Sequence, residues 1–421
     1  MRTFLRKLHF VSWIFFILLN ICKGQTLQED VEKIRQKYDL SGGILVIFNE
    51  NNILQSLPFG LSDIARNILV SDSTVFRIAS ISKTIISLAL MQLEEHGKVS
   101  MNQDVSEILG YEVKNPIFPE IDITPEMLLS HTSSLNEGEA YDNFLGMSYN
   151  SNPIPDIREL INNKGKYYTS AQFLNNKPGT FFNYSNLGYG ITGTIIEKIS
   201  GFRFDIYCRQ NIFKPLGIDA SYNVLDFDNF DKISVLYRKN NGFWVPQADN
   251  YMGIKPVFAN LDSFKPGTNG LRFGAQGGLR ISGNDLAKIF MIFLNKGKYN
   301  ETRIVKNKTL KKMIRSHWDY NGQNSTDNEG YFRSWGLGIQ RITENPLSEK
   351  VLQSSKFMIG HSGDAYGLIS NAFIDPKRKI GFVMIINGSG SGYENIPGST
   401  YLPFEKEFFE LVDNYFEKKN Q

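Results

Sequence analysis

The first periodic pattern of apolar positions, in a charged stretch at residues 27–38, predicts an amphipathic helix. Two runs follow at 42–49 and 52–58, joined at Glu50-Asn51, and read as an antiparallel hairpin that begins a sheet. From Ser80 to His96 apolar residues fall on nearly every face (Ile85, Ile86, Leu88, Leu90, Met91, Leu93) until Gly97 stops the run, which marks a buried helix with Ser80 at its N-terminus. The stretch 106–270 is rich in Asn, Gly and Pro between short helical patterns at 125–130, 187–200 and 202–213, with little strand alternation. Beyond Gly277-Gly278, helical patterns at 284–295 and 307–315 lead to strand-like segments at 336–341, 356–359, 368–374 and 380–387. A last amphipathic helix carries Phe404, Phe408, Leu411, Val412, Tyr415 and Phe416.

Strands at both ends with helices between them imply an α+β fold: one antiparallel sheet built from both chain ends and flanked by helices, beside a mainly helical second lobe. The expected division is a sheet domain from 27–105 plus 270–421 and a helical lobe at 106–269, together one catalytic unit over 27–421. No internal repeat or coiled-coil heptad is visible.

The first 24 residues differ from the rest. Arg2, Arg6 and Lys7 precede an apolar run at 10–21, and Cys22-Lys23-Gly24 follows, a signal-peptide pattern with cleavage before Gln25. The mature chain is then secreted or periplasmic with no spanning segment, although a retained anchor or a lipid on Cys22 is an alternative. Cleavage leaves Cys208 as the one cysteine, so the mature chain has no intramolecular disulfide, and Cys208 reads as a small buried hydrophobe. With a net charge of only +3 and scattered lysines, nothing suggests nucleic acid; a small-molecule or peptide substrate fits better. Five dispersed histidines give no zinc pattern, and the absence of a P-loop or a dinucleotide fingerprint gives no cofactor to expect.

Three short motifs carry candidate chemistry. In Ser80-Ile81-Ser82-Lys83 one helical turn puts the hydroxyl and the amine on the same face, where a desolvated lysine can take the serine proton; a capped helix with a solvated lysine is the plain alternative. Tyr184-Ser185-Asn186 sits on a loop that opens a helix, so a phenol and an amide can face a cleft, or Asn186 can simply cap the helix. His361-Ser362-Gly363 lies in a late strand, where Gly363 allows close approach and His361 can donate to a substrate carboxylate or to a proton network.

Together, and in this order, the motifs resemble those of the serine β-lactamase and DD-peptidase superfamily in its class C branch. The likeness extends through residues 76–83, 128–135, 177–180, Gly277-Gly278-Leu279 and His361-Ser362-Gly363. It implies Ser80 as nucleophile, Lys83 as its base, Tyr184 as proton relay, Asn186 as orienting amide and His361 in the third-motif position. Backbone amides of Ser80 and Asp364 would form the oxyanion hole, with Ser362 and Gly363 binding substrate. His131, in the second of these segments, resembles a structural signature and is left out of the site. One departure is the histidine at 361, where dedicated β-lactamases of this branch usually carry lysine. The resemblance therefore implies a D-amino-acid or DD-carboxypeptidase-like or penicillin-binding enzyme, a small-ester esterase, or, in another class, a catalytically idle sensor of the same fold.

Overall fold

The computed structural model describes residues 26–258, 261, 264–326, 331–345, 347–390 and 399–419; the expected signal peptide lies outside them. Nine strands form one antiparallel sheet in the order Trp318–Asp319, Ser334–Trp335, Gln340–Ile342, Met358–Ala365, Leu368–Asp375, Ile380–Ile386, Gly42–Asn49, Ile53–Asp63 and Ile68–Leu69. The two ends of the chain meet inside it, with Gly43 opposite Ile386 and Asn49 opposite Ile380.

Alternation along Gly42–Asn49 explains why this strand is apolar throughout, since it is buried on both faces. Ile44, Val46 and Phe48 join the core that also holds Ile85, Leu88 and Ile292, from helices Ser82–Glu95 and Gly283–Leu294. Leu45 and Ile47 join the opposite layer, with Val31 and Ile34 of helix Leu27–Lys37 and Phe404, Phe408 and Val412 of helix Pro403–Lys419. Each such side chain contributes about 1.5–3 kcal/mol on burial, more than an exposed ion pair. The first helix is started by a reciprocal capping box between Thr26 and Glu29.

A smaller pairing positions the chemistry. Val75–Arg77 runs antiparallel to Arg280–Ser282, and the Ile78 N–H donates to Leu279 O (3.0 Å). The chain then tightens into a short turn, Ala79–Ile81, ahead of helix Ser82–Glu95. Ala79 adopts φ 46°, a left-handed conformation that costs a residue with a side chain about 1–2 kcal/mol.

Two segments differ from expectation. Residues 336–341, read as one strand, hold a turn between two very short ones, because Gly338 takes φ 70° and Gly336 N–H bonds back to Ile339 O. Inside the stretch read as helical, Leu236–Asn240 and Phe243–Ala248 form a hairpin. Asn241 (φ 50°) and Gly242 (φ 83°) supply the paired left-handed residues that a two-residue hairpin turn requires.

Candidate active site

Lys83 is fully buried at the start of the apolar helix, and its amine has three neighbours. Nζ lies 3.0 Å from Ser80 Oγ, 2.8 Å from Asn186 Oδ1 and 2.7 Å from Gln276 O. Burial brings its pKa down to about 7, with the charge of Glu137 acting the other way. A neutral amine has two N–H donors and one lone pair. Two of the neighbours are carbonyl oxygens, which only accept, so both hydrogens go to them and the lone pair is left facing the Ser80 hydroxyl. Sequence reasoning missed the Gln276 carbonyl, since a main-chain acceptor leaves no mark in residue type.

Tyr184 stands over this pair, with its ring centroid 4.7 Å from Lys83 Nζ. The ring is held between His131, stacked at 4.3 Å, and Phe332, stacked at 5.2 Å. Burial holds the phenol well above its ordinary pKa, against a side-chain hydrogen bond with Ser80, so it keeps its proton at neutral pH. His131 accepts from the Ser185 N–H at Nδ1 (2.9 Å) and is kept neutral by burial, so it fixes the loop that carries Tyr184.

The open question about Asn186 is answered by its neighbour. Helix Asn186–Ser200 is capped by Ser185, whose Oγ accepts from Gly188 N–H, which frees the Asn186 amide for Lys83. Glu137 holds the far side of this arrangement: it accepts from Asn186 Nδ2 (3.1 Å), Ser185 Oγ (3.0 Å) and Leu187 N–H (2.7 Å). A carboxylate at a helix N-terminus is favourably placed. Sequence analysis did not single out Glu137, because its role depends on the loop after His131 folding across the start of a helix 49 residues away.

The third motif lies in strand Met358–Ala365. Beyond the Gln340↔Gly360 pairing this strand has no paired neighbour on one edge among the described residues, and it runs there beside the Ser80 turn. A Cβ on Gly363 would meet Ser370 Oγ at 2.5 Å, Ile78 O at 2.6 Å and Ala79 Cβ at 3.1 Å, so only glycine permits this approach. Ser80 and Asp364 line one cleft of about 400 Å³ together with Arg77, Glu137, Tyr149, Asn186 and Gln276.

Two side chains of the motif have their polar hydrogens already committed, which for His361 differs from expectation. The Ser362 hydroxyl donates to Asn371 Oδ1 (2.6 Å), and Asn371 in turn reaches Glu405 on the last helix, so Ser362 has only main chain to offer the cleft. His361 is buried, with Nδ1 2.6 Å from Ser362 O. A carbonyl only accepts, so Nδ1 carries the proton and Nε2 is a lone pair, without a partner among the described residues. Burial, followed by the charge of Lys83, brings its pKa to about 3. A neutral ring whose only N–H is already used cannot donate to a substrate carboxylate. What remains open to it is acceptance within the proton network, its ring centroid being 6.2 Å from that of Tyr184.

Cys208 is buried and its thiol is pushed up by burial, so it lies outside this chemistry. Among the described residues no three His, Cys, Asp or Glu side chains cluster as a metal site.

Comparison with known proteins places this geometry in a wider group. Protein flp of Staphylococcus aureus strain N315 is 25% identical over 192 residues, covering 46% of this chain and 36% of that protein. Penicillin-binding protein 4* of Bacillus subtilis strain 168 is 30% identical over 206 residues, covering 47% of this chain and 41% of that protein. The chain thus spans less than half the length of either relative. The octameric penicillin-binding protein homologue from Pyrococcus abyssi shares the fold with a TM-score of 0.67 at 21% identity, over 93% of this chain and 77% of that one. The beta-lactamase/D-alanine carboxypeptidase from Pseudomonas syringae does so with a TM-score of 0.62 at 16% identity, over 92% and 97%. The family model described as Beta-lactamase matches residues 27–398, and the chain therefore belongs to the Beta-lactamase family.

Proposed function

We propose that this chain is an exported serine hydrolase that forms an acyl-enzyme on Ser80. The observation that carries the reading is the Lys83 amine, buried, with a pKa near 7 and both hydrogens of its neutral form committed to carbonyls. Lys83 takes the Ser80 proton as Oγ attacks the substrate carbonyl; the main-chain amides of Ser80 and Asp364 receive the developing oxyanion. Tyr184, a neutral phenol, gives its proton to the leaving group and regains one from the attacking water in deacylation. Asn186 orients the amine, and His361 accepts within the same network through Nε2. The catalytic unit is 27–421, with 27–105 and 270–421 carrying the sheet and 106–269 the lobe that brings Tyr184 and Asn186.

Peptides ending in D-amino acids are the favoured substrate class, in keeping with the carboxypeptidase named for the Pseudomonas syringae protein. Small neutral esters are a second reading, supported by the neutral His361, which offers no cation to grip a carboxylate on its side of the cleft. Export rests on residues 1–24; among the described residues no helix is long and apolar enough to cross a membrane. The test is turnover of a D-Ala-D-Ala peptide, a penicillin and a neutral nitrophenyl ester by the mature chain and by Ser80→Ala. Turnover of at least one substrate that Ser80→Ala abolishes supports the proposal, and turnover that survives the substitution refutes it.

A further inference from the structure

A second cavity of about 240 Å³ adjoins the proposed catalytic cleft, sharing Arg77 and Tyr149 as wall residues with it. It has room for roughly eight waters at about 30 Å³ each, or for a short side chain ending in a charged group. Its walls hold three guanidinium groups, from Arg77, Arg272 and Arg280, among aromatic residues that include Tyr222 and Phe273.

Among the described residues the charges there do not balance. Arg280 is fully engaged: Nε and Nη2 reach the two oxygens of Asp249 at 3.0 and 2.6 Å, and Nη1 donates to Gly278 O. Asp249 is thereby used, and Arg77 Nε stands 3.6 Å from its Oδ2, the oxygen that already accepts from Arg280, and is buried without a hydrogen-bond partner. Arg272 is only 9% exposed and donates from Nη1 to Tyr149 O (2.6 Å). Its Nε is buried without a partner, and no carboxylate among the described residues forms an ion pair with it. Arg203, the next cation, is paired with Asp205.

Buried charges in proteins are paired, because an uncompensated one is costly. A guanidinium kept buried against a cavity wall without a counter-charge is a group whose partner arrives with a ligand, and its planar fork suits a carboxylate. Tyr149 joins the two spaces, since its carbonyl holds Arg272 and its hydroxyl accepts from Gln276 Nε2 at the cleft. Tyr184, the proposed proton donor to the leaving group, does not line the cavity, which meets the cleft at Arg77 and Tyr149, so the proposed chemistry assigns a group seated there to the acyl portion of the substrate.

We infer that this cavity is an anion subsite in which Arg272, assisted by Arg77, binds a carboxylate carried on the acyl portion of the substrate. The inference rests on the proposed acyl transfer at Ser80 for its catalytic consequence, but not for binding itself.

The test compares two nitrophenyl esters of glutaric acid, one with its second carboxylate free and one with it methylated. The free acid is expected to react with kcat/KM roughly tenfold or more above the methyl ester in the wild type. That ratio should fall toward one in Arg272→Gln and stay above one in Arg272→Lys, which keeps the charge and guards against a loss caused by misfolding. A ratio near one in the wild type, or one untouched by Arg272→Gln, overturns the subsite. Glutarate and its uncharged diamide are also titrated calorimetrically into Ser80→Ala. Binding of glutarate but not of the diamide, weakened about tenfold by adding Arg272→Gln, upholds the subsite even if neither ester is turned over, in which case only the hydrolase reading fails. No difference between glutarate and the diamide overturns the subsite whatever the esters do.

Discussion

Lys83 Nζ and Ser80 Oγ stand 3.0 Å apart with a single proton to exchange, because the other two positions on the neutral amine are occupied by Asn186 Oδ1 and Gln276 O. Of these three hydrogen-bonded groups, the serine hydroxyl is the one from which this lysine can take a proton.

Replacing Lys83 with Met keeps an unbranched chain in the same buried position and removes the amine proposed as the base. The acylation rate should fall by about 10²–10⁴, the range for a general base, while near-UV circular dichroism stays native. Pre-steady-state acylation with a chromogenic ester measures it, and a variant within a few-fold of the wild type would remove Lys83 from the mechanism.

The pH profile should carry the lysine and not the histidine. A base whose folded pKa is lowered to about 7 is protonated and inactive below that pH, so acylation should rise as pH passes upward through about 7. His361, brought to about 3, is neutral on both sides of this limb and contributes nothing to it. Profiles of kcat/KM for the wild type and His361→Gln should therefore show the same limb position even if the variant is slower. A limb that disappears in His361→Gln would reassign the titration.

Glu137 fixes the Asn186 amide beside this pair and partly offsets the burial that lowers the Lys83 pKa, without a hydrogen bond to Lys83 or Ser80. Its negative charge favours protonated Lys83, so Glu137→Gln should move the acylation limb to lower pH, a shift that loss of packing alone does not produce. The same change disturbs the Asn186 amide, which Glu137 accepts from, so the plateau rate should fall as well. A plateau loss with an unmoved limb would make Glu137 structural only.

At Gly363 the sheet packs directly against the chain that leads into the Ser80 turn. Gly363→Ala pushes a methyl group toward main chain at Ile78 O and must part the strand from the turn. A destabilisation of about 1–3 kcal/mol is expected from overpacking, with a larger proportional loss of acylation than of stability. Urea unfolding and ester turnover on the same preparation separate the two, and a variant that acylates normally would show that strand placement is not critical.

What could be read in the residues and what could not divides along physical lines. Ser80 and Lys83 share a helix face at fixed spacing, and an apolar run around a lysine announces its desolvation, so this pair was visible before the fold. The central strands were visible too, since Gly42–Asn49 and Ile380–Ile386 are apolar on both faces. Glu137 and the Gln276 carbonyl were hidden because their roles arise from loops folding together and, for Gln276, from main chain. His361 was misjudged in its use of hydrogen: the sequence shows an imidazole, but only the backbone shows that its own neighbour's carbonyl takes the N–H. The Asn241-Gly242 hairpin does have a sequence signal, a dipeptide suited to two left-handed residues, but it stands in a stretch that otherwise reads as helical.

The central claim is that Ser80 carries the acyl group. Incubating the mature protein with a fluorescent penicillin and with a slow ester, quenching in acid, and mapping the adduct by peptide mass spectrometry tests it directly. A mass increase of one acyl group confined to the peptide containing Ser80, and absent in Ser80→Ala, is the predicted result. An adduct on any other residue, or one that persists in Ser80→Ala, would contradict it.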